Sequence, residues 1–454
     1  MKVLFLIKDY VVEPLGIAYL SSSLKAHGHT TDIIKTKNRN AEEIAREIYR
    51  DIPDIIAYSI TTGSQDYYLE LNNDLKELFD NSFISVFGGP HVTYFENIKD
   101  ELGVDYAIRG ESENTFIRLV DALSEGHEPT KEEYLKMDAL IQDLDSIPFP
   151  DRELLYKYDS NKNNPIKNII TSRGCPYFCN YCYNSLYKKL YSGQRFVRYR
   201  SAQNVIDECL ELEKYPLEVI FFEDDEFIAN KKRFQELMLL YAKKVKTPFH
   251  CQVRVEHLDE TAVAILKHSG CISVTFAMES GSDRVRTKLL NRKMSREQIL
   301  KGAKLLRDAG IPFRLQGMVG LPSESWEEML ETLDLMIECK PTLGWVSIFQ
   351  PYPSLPLGDI SQKLGLWDGE IDQFSKSFFE ETVLDLPSKL KRRVNNLQKV
   401  FALIVRFPFL RMFTTIITSL PENRLYALLY QRFKVYIYDQ YLYNPKRRIY
   451  GFQE

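Results

Sequence analysis

Residues 167–182 read KNIITSRGCPYFCNYC. A short strand-like run, 167–172, opens onto a loop that carries Cys175, Cys179 and Cys182 in the spacing C-x3-C-x2-C. Outward from it the same design repeats. The runs EVIFFE (218–223), PFHCQV (248–253), SVTFAM (273–278), PFRLQGMV (312–319) and WVSIFQ (345–350) read as further strands. Helical stretches near 201–213, 231–244, 259–268, 295–309 and 324–339 separate them. Six βα units in succession predict a barrel or partial barrel over 166–360, with chemistry on the loops that follow the strands. Right-handed crossovers put those loops at one end.

Upstream, residues 1–126 alternate VLFLI (3–7), TTDII (30–34), IIAYSI (55–60), ISVFGG (84–89) and DYAIRG (105–110) with helical stretches near 14–27, 41–51, 66–79, 94–102 and 113–123. Strands buried on both faces are nearly all apolar, so this alternation predicts a Rossmann-like, doubly wound parallel sheet. Ligands of such sheets bind outside the carboxyl ends of the strands. Residues 127–165 are polar, contain Pro148 and Pro150, and read as a linker. Residues 361–454 read as a small, mostly helical region.

The chain has 454 residues, 44% hydrophobic and 27% charged. That is a packed globular composition, and no run of ~18 uncharged apolar residues occurs to span a membrane. The apolar start, 1–7, is too short for a signal peptide, so a cytoplasmic location is expected. In that reducing setting the seven Cys are ligands, core residues or catalysts rather than disulfides. The net charge of −4 is unevenly spread. Residues 388–454 hold 13 Lys and Arg against 3 Asp and Glu, leaving 46 against 60 elsewhere.

Three thiolates so close together suit a multi-iron centre. A structural zinc would want a fourth Cys or His nearby, and the nearest, Cys209 and His250, belong to no second ligand pair. Zinc, an oxidised thiol pair and three unrelated buried cysteines are the alternatives. Four adjacent acids, Glu223-Asp224-Asp225-Glu226, follow the second barrel strand. They repel one another unless a cation or ammonium group offsets the charge; the alternative is a solvated acidic turn. Arg254, just past the third strand, reads either as a carboxylate partner or as half of a surface ion pair.

The cysteine loop resembles the signature of the radical S-adenosylmethionine (SAM) superfamily, C-x3-C-x-aromatic-C, with Tyr181 in the aromatic slot. The resemblance implies a partial (β/α)6 barrel in which Cys175, Cys179 and Cys182 hold a [4Fe–4S] cluster. SAM would chelate the open iron, and one electron would cleave it to a 5′-deoxyadenosyl radical. It also implies that Glu223 or Asp224 holds the SAM amino group, although the glycines of the family's motif are missing there. Arg254 would take the SAM carboxylate and Glu279-Ser280-Gly281 the ribose. The loop Gly317–Glu324, with Gly320, would lie along adenine. Pro351–Leu357 resembles a Pro-rich loop of the same subgroup. No residue is singled out as a catalyst.

The amino-terminal region resembles the cobalamin-binding domain fused to one radical SAM subgroup. The segments are Pro14–Leu20, Gly88-Gly89-Pro90-His91 and Arg109–Glu113. Leu15, Gly16, Ser59, Gly88, Gly89, His91, Gly110 and Glu111 would line the cobalamin site. The loop Lys8–Glu13 lacks the His that many cobalamin enzymes supply, so cobalamin would bind without a lower His ligand. His91 is read as a contact, and a vacant flavodoxin-like domain is the alternative. His27, His29, His127, Cys209, Cys251, Cys271 and Cys339 are assigned core or surface roles.

By resemblance, the expected activity is methylation of an unactivated carbon, with cyclisation, ring rearrangement or oxidation as the runner-up. A non-catalytic metal-binding adaptor is the alternative from another class. The implied partners are a small-molecule or lipid-like substrate and an external one-electron donor such as flavodoxin or ferredoxin. No nucleic acid is expected. The segment Leu397–Leu420 and the basic, aromatic residues beyond it read as a helical cap or as a peripheral membrane contact.

Overall fold

The structure, a computed structural model, describes residues 1–9, 12–371 and 377–437. Tyr10 and Val11, the aromatic run from Tyr438 to Tyr443, and Lys446-Arg447-Arg448 lie outside the described residues. The chain divides into two compact units at Asn164/Pro165.

The first unit runs β1 (Lys2–Ile7), α1 (Leu15–Ala26), β2 (Thr30–Lys35), α2 (Ala41–Ile48), β3 (Ile55–Ser59), α3 (Gln65–Leu78), β4 (Ile84–Gly88), α4 (Pro90–Tyr94), β5 (Tyr106–Ala107) and α5 (Glu113–Ser124). Its sheet has the order β2-β1-β3-β4-β5 and every pairing is parallel. The order reverses between β1 and β3, and the crevice there is the expected ligand position. The helix expected near 94–102 starts earlier. Gly89, at φ +94, turns the chain so that Pro90 enters the first turn of α4, where its missing N–H costs nothing. Phe95 is extended and separates α4 from a 3₁₀ turn at Glu96–Asp100.

Residues 127–164 pack onto this unit through α6 (Lys131–Leu135), α7 (Arg152–Leu155) and α8 (Asp159–Lys162). Buried Glu13 accepts from Arg152 Nη1 at 2.6 Å and from the Tyr156 hydroxyl at 2.7 Å. Lys157 bonds Asp32 at 2.8 Å. Part of the polar composition here lies in side chains that bond this segment to Glu13 and Asp32 of the same unit.

The second unit begins with β6 (Ile166–Ile169) and a two-residue ribbon, β7 (Ser172–Arg173) with β8 (Arg198–Tyr199), around α9 (Tyr183–Leu190). It continues with α10 (Ala202–Leu212), β9 (Val219–Phe222), α11 (Lys231–Lys244), β10 (Phe249–Gln252), α12 (Glu260–His268), β11 (Cys271–Glu279), α13 (Arg296–Asp308), β12 (Phe313–Val319), α14 (Trp326–Cys339), β13 (Leu343–Ile348) and α15 (Pro356–Lys363). The six long strands lie in chain order, β13-β12-β11-β10-β9-β6, all parallel. β6 and β13 do not pair, so the barrel is partial. Capping boxes, Ser295 with Gln298 and Ser325 with Glu328, start α13 and α14.

Three more helices follow: α16 (Ser388–Arg406), α17 (Thr414–Ser419) and α18 (Arg424–Ile437). Val394, Leu397, Phe401 and Ile404 of α16 join the barrel core, and Gln398 Nε2 donates to the Val346 carbonyl of edge strand β13 at 3.4 Å. Among the described residues no helix is long and apolar enough to cross a membrane.

Candidate functional site

The cysteine loop leaves the barrel at Gly174. Its φ is +86, and a Cβ there would sit 2.5 Å from the Phe196 carbonyl, so only glycine fits. Cys179 is buried, Cys175 and Cys182 are half-buried, and all three are free thiols. Burial pushes the Cys175 thiol up to about 12 and the Cys182 thiol up to about 11, with Asp225 and the neighbouring sulfurs adding to it. Among the described residues no three His, Cys, Asp or Glu side chains converge on one metal ion.

A segment with no sequence motif holds the loop in place. A π-helical turn at Val285–Leu289 follows β11. From its end the Leu289 carbonyl accepts from Asn180 Nδ2 at 2.8 Å, and the Leu290 carbonyl from the Asn180 amide at 3.1 Å. Asn291 Nδ2 donates to the Phe178 carbonyl at 2.7 Å. Arg292, 6% exposed, donates to the Tyr181 hydroxyl at 3.0 Å and to the Ala277 carbonyl at 2.6 Å. Its Nη1 lies 4.0 Å from Cys179 Sγ. Nothing local in the sequence marks Arg292, because its partners are distant in the chain.

The Tyr181 hydroxyl donates to Glu279 Oε1 at 2.7 Å. Glu279 ends β11 at φ +65, where the register with β12 slips between Ala277 and Glu279. A left-handed glutamate is strained by roughly 1–2 kcal/mol, and this bulge is what aims its carboxylate at the loop. Arg254 is buried, not part of a surface ion pair. It stacks 3.6 Å over the Tyr177 ring, pairs with Glu256 at 2.5 Å and brings Nη1 to 3.7 Å from Cys179 Sγ. The Nε atoms of Arg254 and Arg292, Glu226 Oε2 and Glu256 Oε2 are buried without a hydrogen-bond partner.

The four acids after β9 separate. Glu223 accepts from Asn168 at 2.7 Å and from Gln252 at 3.2 Å. Asp224 is fully occupied beneath the cysteine loop: it accepts from the Thr171 amide and hydroxyl at 3.2 and 2.8 Å and from the Ser172 hydroxyl. Asp225 is exposed, accepts from Asn184 and adds to the charge felt by Cys175 and Cys182. Glu226 is buried and accepts from the Ile228 amide at 3.1 Å. Of the four, Asp225 is the acid open beside the cysteines, where the sequence favoured Glu223 or Asp224.

Two other expected positions have partners within the protein. Ser280 is buried, with its hydroxyl 3.3 Å from that of Thr332 and bonded to the Ser282 amide. Gly320, at φ +74, faces Val394 of α16, whose Cγ1 would be 2.9 Å from a Cβ there. Its lack of a side chain serves helix packing.

In the first unit, Ser59, Gly88 and Gly89 come together at the carboxyl edge of β3 and β4. A Cβ on Gly89 would meet Ile60 N at 2.8 Å and Ser59 Oγ at 2.9 Å. His91 is buried, stacked on Phe95 with centroids 4.6 Å apart, and 3.2 Å from the Thr62 hydroxyl. Burial pulls its pKa down to about 4. The Gly110 amide donates to the Thr93 hydroxyl at 3.1 Å, and Glu111 accepts from the Ile141 amide at 3.3 Å. Leu15 is buried, whereas Gly16 is exposed with open space where a side chain would project.

Residues 169–336 match the family model of the Radical SAM superfamily, and residues 1–120 that of the B12 binding domain. An uncharacterized methyltransferase of Pyrococcus horikoshii is 31% identical over 365 residues, covering 76% of this chain and 77% of that protein. The chain belongs to the radical SAM superfamily. Its amino-terminal unit is the B12-binding domain of that architecture. An anaerobic magnesium-protoporphyrin IX monomethyl ester cyclase of Rubrivivax gelatinosus is 26% identical, covering 87% of this chain and 75% of that one. The solved structure of the radical SAM methyltransferase TsrM from Kitasatospora setae, with tryptophan and a SAM analogue bound, matches at a TM-score of 0.66 with 16% identity. It covers 80% of this chain and 76% of that one, a likeness of fold.

The family's cofactors are a [4Fe–4S] cluster, SAM and cobalamin, and the residues present fit them. Cys175 and Cys182, held high by burial, need a cationic centre to become thiolates. Unpartnered guanidinium and carboxylate atoms surround the loop, as a site awaiting a zwitterionic ligand requires. At the first sheet, Ser59, Gly88 and Gly89 leave an edge free of bulky side chains, which a broad disc needs.

Proposed function

We propose that this radical SAM enzyme transfers a methyl group to an unactivated carbon of a small molecule. The observation that carries the methyl-transfer reading is the 31% identity, over three quarters of both chains, to a protein named a methyltransferase. When bound, the cluster supplies one electron to SAM, and cobalamin supplies a transferable methyl group.

The chain's own residues bind and orient. Cys175, Cys179 and Cys182 hold the cluster, and Tyr181, clamped between Glu279 and Arg292, fixes the loop that carries them. Asp225 takes the SAM amino group, because it is the open carboxylate beside Cys175 and Cys182. Arg254 faces the SAM carboxylate, and Glu279 accepts from the ribose hydroxyls. Asp224 and Gly320 act from beneath, as supports. Ser59, Gly88, Gly110 and Gly16 leave room for cobalamin, Gly89 lets the chain turn closely against Ile60, and His91 is a neutral packing contact. Positioning of this kind makes the radical step effectively intramolecular.

Cyclisation is the second reading, favoured by the cyclase relatives. One experiment divides the two. Anaerobic reduced protein, loaded with cobalamin, is incubated with methyl-labelled SAM and a cell extract. Methyl transfer gives 5′-deoxyadenosine and label in a product other than methionine. Turnover to 5′-deoxyadenosine with label only in methionine supports cyclisation, and no SAM cleavage contradicts both.

A further inference from the structure

The carboxyl-terminal helices carry an apolar face that nothing in the described chain covers. After α16 the chain makes a 3₁₀ turn at Pro408–Phe413 and enters α17. Phe409, Met412, Phe413, Ile416 and Leu420 follow helical spacing, and all are exposed: Phe409 66%, Met412 76% and Ile416 66%. The opposite side of α17, Thr414 and Thr418, is fully buried. In α18, Leu425, Leu428 and Leu429 repeat the pattern and are also exposed. The Tyr426 hydroxyl donates to the Ile417 carbonyl at 3.1 Å, which ties the two helices side by side.

An amphipathic helix in a water-soluble domain turns its apolar stripe inward. Here the stripes of two adjacent helices face outward. The same region is basic: residues 388–437 hold ten Lys and Arg and one acid, Glu422. Glu422 accepts from Asn395 at 3.0 Å. Arg406, Arg424 and Arg432 are exposed and make no ion pair among the described residues. Large apolar side chains flanked by unpaired cations are the composition of a helix that lies in the headgroup layer of an anionic bilayer. A second copy is a poor occupant, because self-association would set two strongly basic regions against each other. No described helix can span a bilayer, so the contact is peripheral.

We infer that the α17–α18 hairpin is a docking surface for an anionic lipid membrane. This inference stands apart from the reaction proposed above. The test is co-sedimentation of the full-length protein with vesicles of phosphatidylcholine alone or with 30% phosphatidylserine, at low and high salt. Binding is expected to the anionic vesicles, and raised salt should weaken it. The double variant Phe409→Asp/Ile416→Asp and the triple variant Arg406→Glu/Arg424→Glu/Arg432→Glu should each weaken it about tenfold or more. These positions are exposed, so circular dichroism should be unchanged. Binding that ignores both variants overturns the proposal. So does a monomer that binds no vesicle. A concentration-dependent dimer lost in the Phe409→Asp/Ile416→Asp variant assigns the face to a second copy instead.

Discussion

The Tyr181 hydroxyl donates a 2.7 Å hydrogen bond to Glu279 Oε1, joining the cysteine loop to the end of the fourth barrel strand. Burial, together with the nearby Glu279 carboxylate, holds the Tyr181 phenol well above its ordinary pKa, so it stays a donor. Tyr181→Phe removes that donor and leaves a buried carboxylate less satisfied, at a cost of about 1–3 kcal/mol. The expected result is full iron content with slower SAM cleavage, read as 5′-deoxyadenosine formed per minute. Cleavage at the wild-type rate would show that the bond does not position the loop.

Arg292 is the larger support. Arg292→Ala unpairs Glu279, which lies 3.8 Å from the guanidinium, and removes two further hydrogen bonds. Breaking a buried pair of this kind costs roughly 3–5 kcal/mol. A scan of thermal unfolding should show a clear fall in Tm and poorer retention of iron, with Arg292→Lys only a partial rescue because it cannot reach both partners. An unchanged Tm contradicts the clamp.

The acids after β9 make opposite predictions. Asp225→Asn should lower SAM affinity about 10- to 100-fold, the worth of a charge-assisted hydrogen bond, while leaving Tm alone. Asp224→Asn should lower Tm, because its carboxylate holds Thr171 and Ser172. Equilibrium dialysis with SAM and a melting curve on each variant check the pair, and the reverse pattern would return the ligand role to Asp224.

His91 gives a pH signature. Its folded pKa, about 4, lies below the ordinary value near 6.5. Between those values the unfolded chain takes up a proton that the folded chain refuses, so stability falls as pH drops from about 6.5 to 4 and levels off below. The loss is about 3 kcal/mol at most. His91→Gln cannot titrate, so its Tm should fall less than that of the wild type between pH 7 and 5. Equal falls would place the titration elsewhere.

Much of this was legible in sequence. A parallel strand covered on both faces, such as Val3–Ile7, reads as an apolar run because neither face meets water. The cysteine spacing announced itself within eight residues. What was not legible depends on direction and distance. Adjacent acids alternate in direction, so Asp224 is buried against Thr171 and Ser172 while Asp225 is exposed, and their order in the chain does not say which is which. Gly320 answers to Val394, seventy-four residues later. Arg292 finds its partners only after a π-helical turn folds back onto the cysteine loop. The outward stripe of α17 and α18 carries ordinary helical spacing, and spacing alone does not say which side faces the core.

The central claim is that Cys175, Cys179 and Cys182 hold one four-iron cube with a corner open to SAM. The EPR spectrum of the anaerobically reduced protein, titrated with SAM, tests it most directly. The account predicts a [4Fe–4S] signal that changes as SAM binds and is absent when the three cysteines are replaced by Ala. A reduced protein with no iron signal, or with one that ignores SAM, would contradict it.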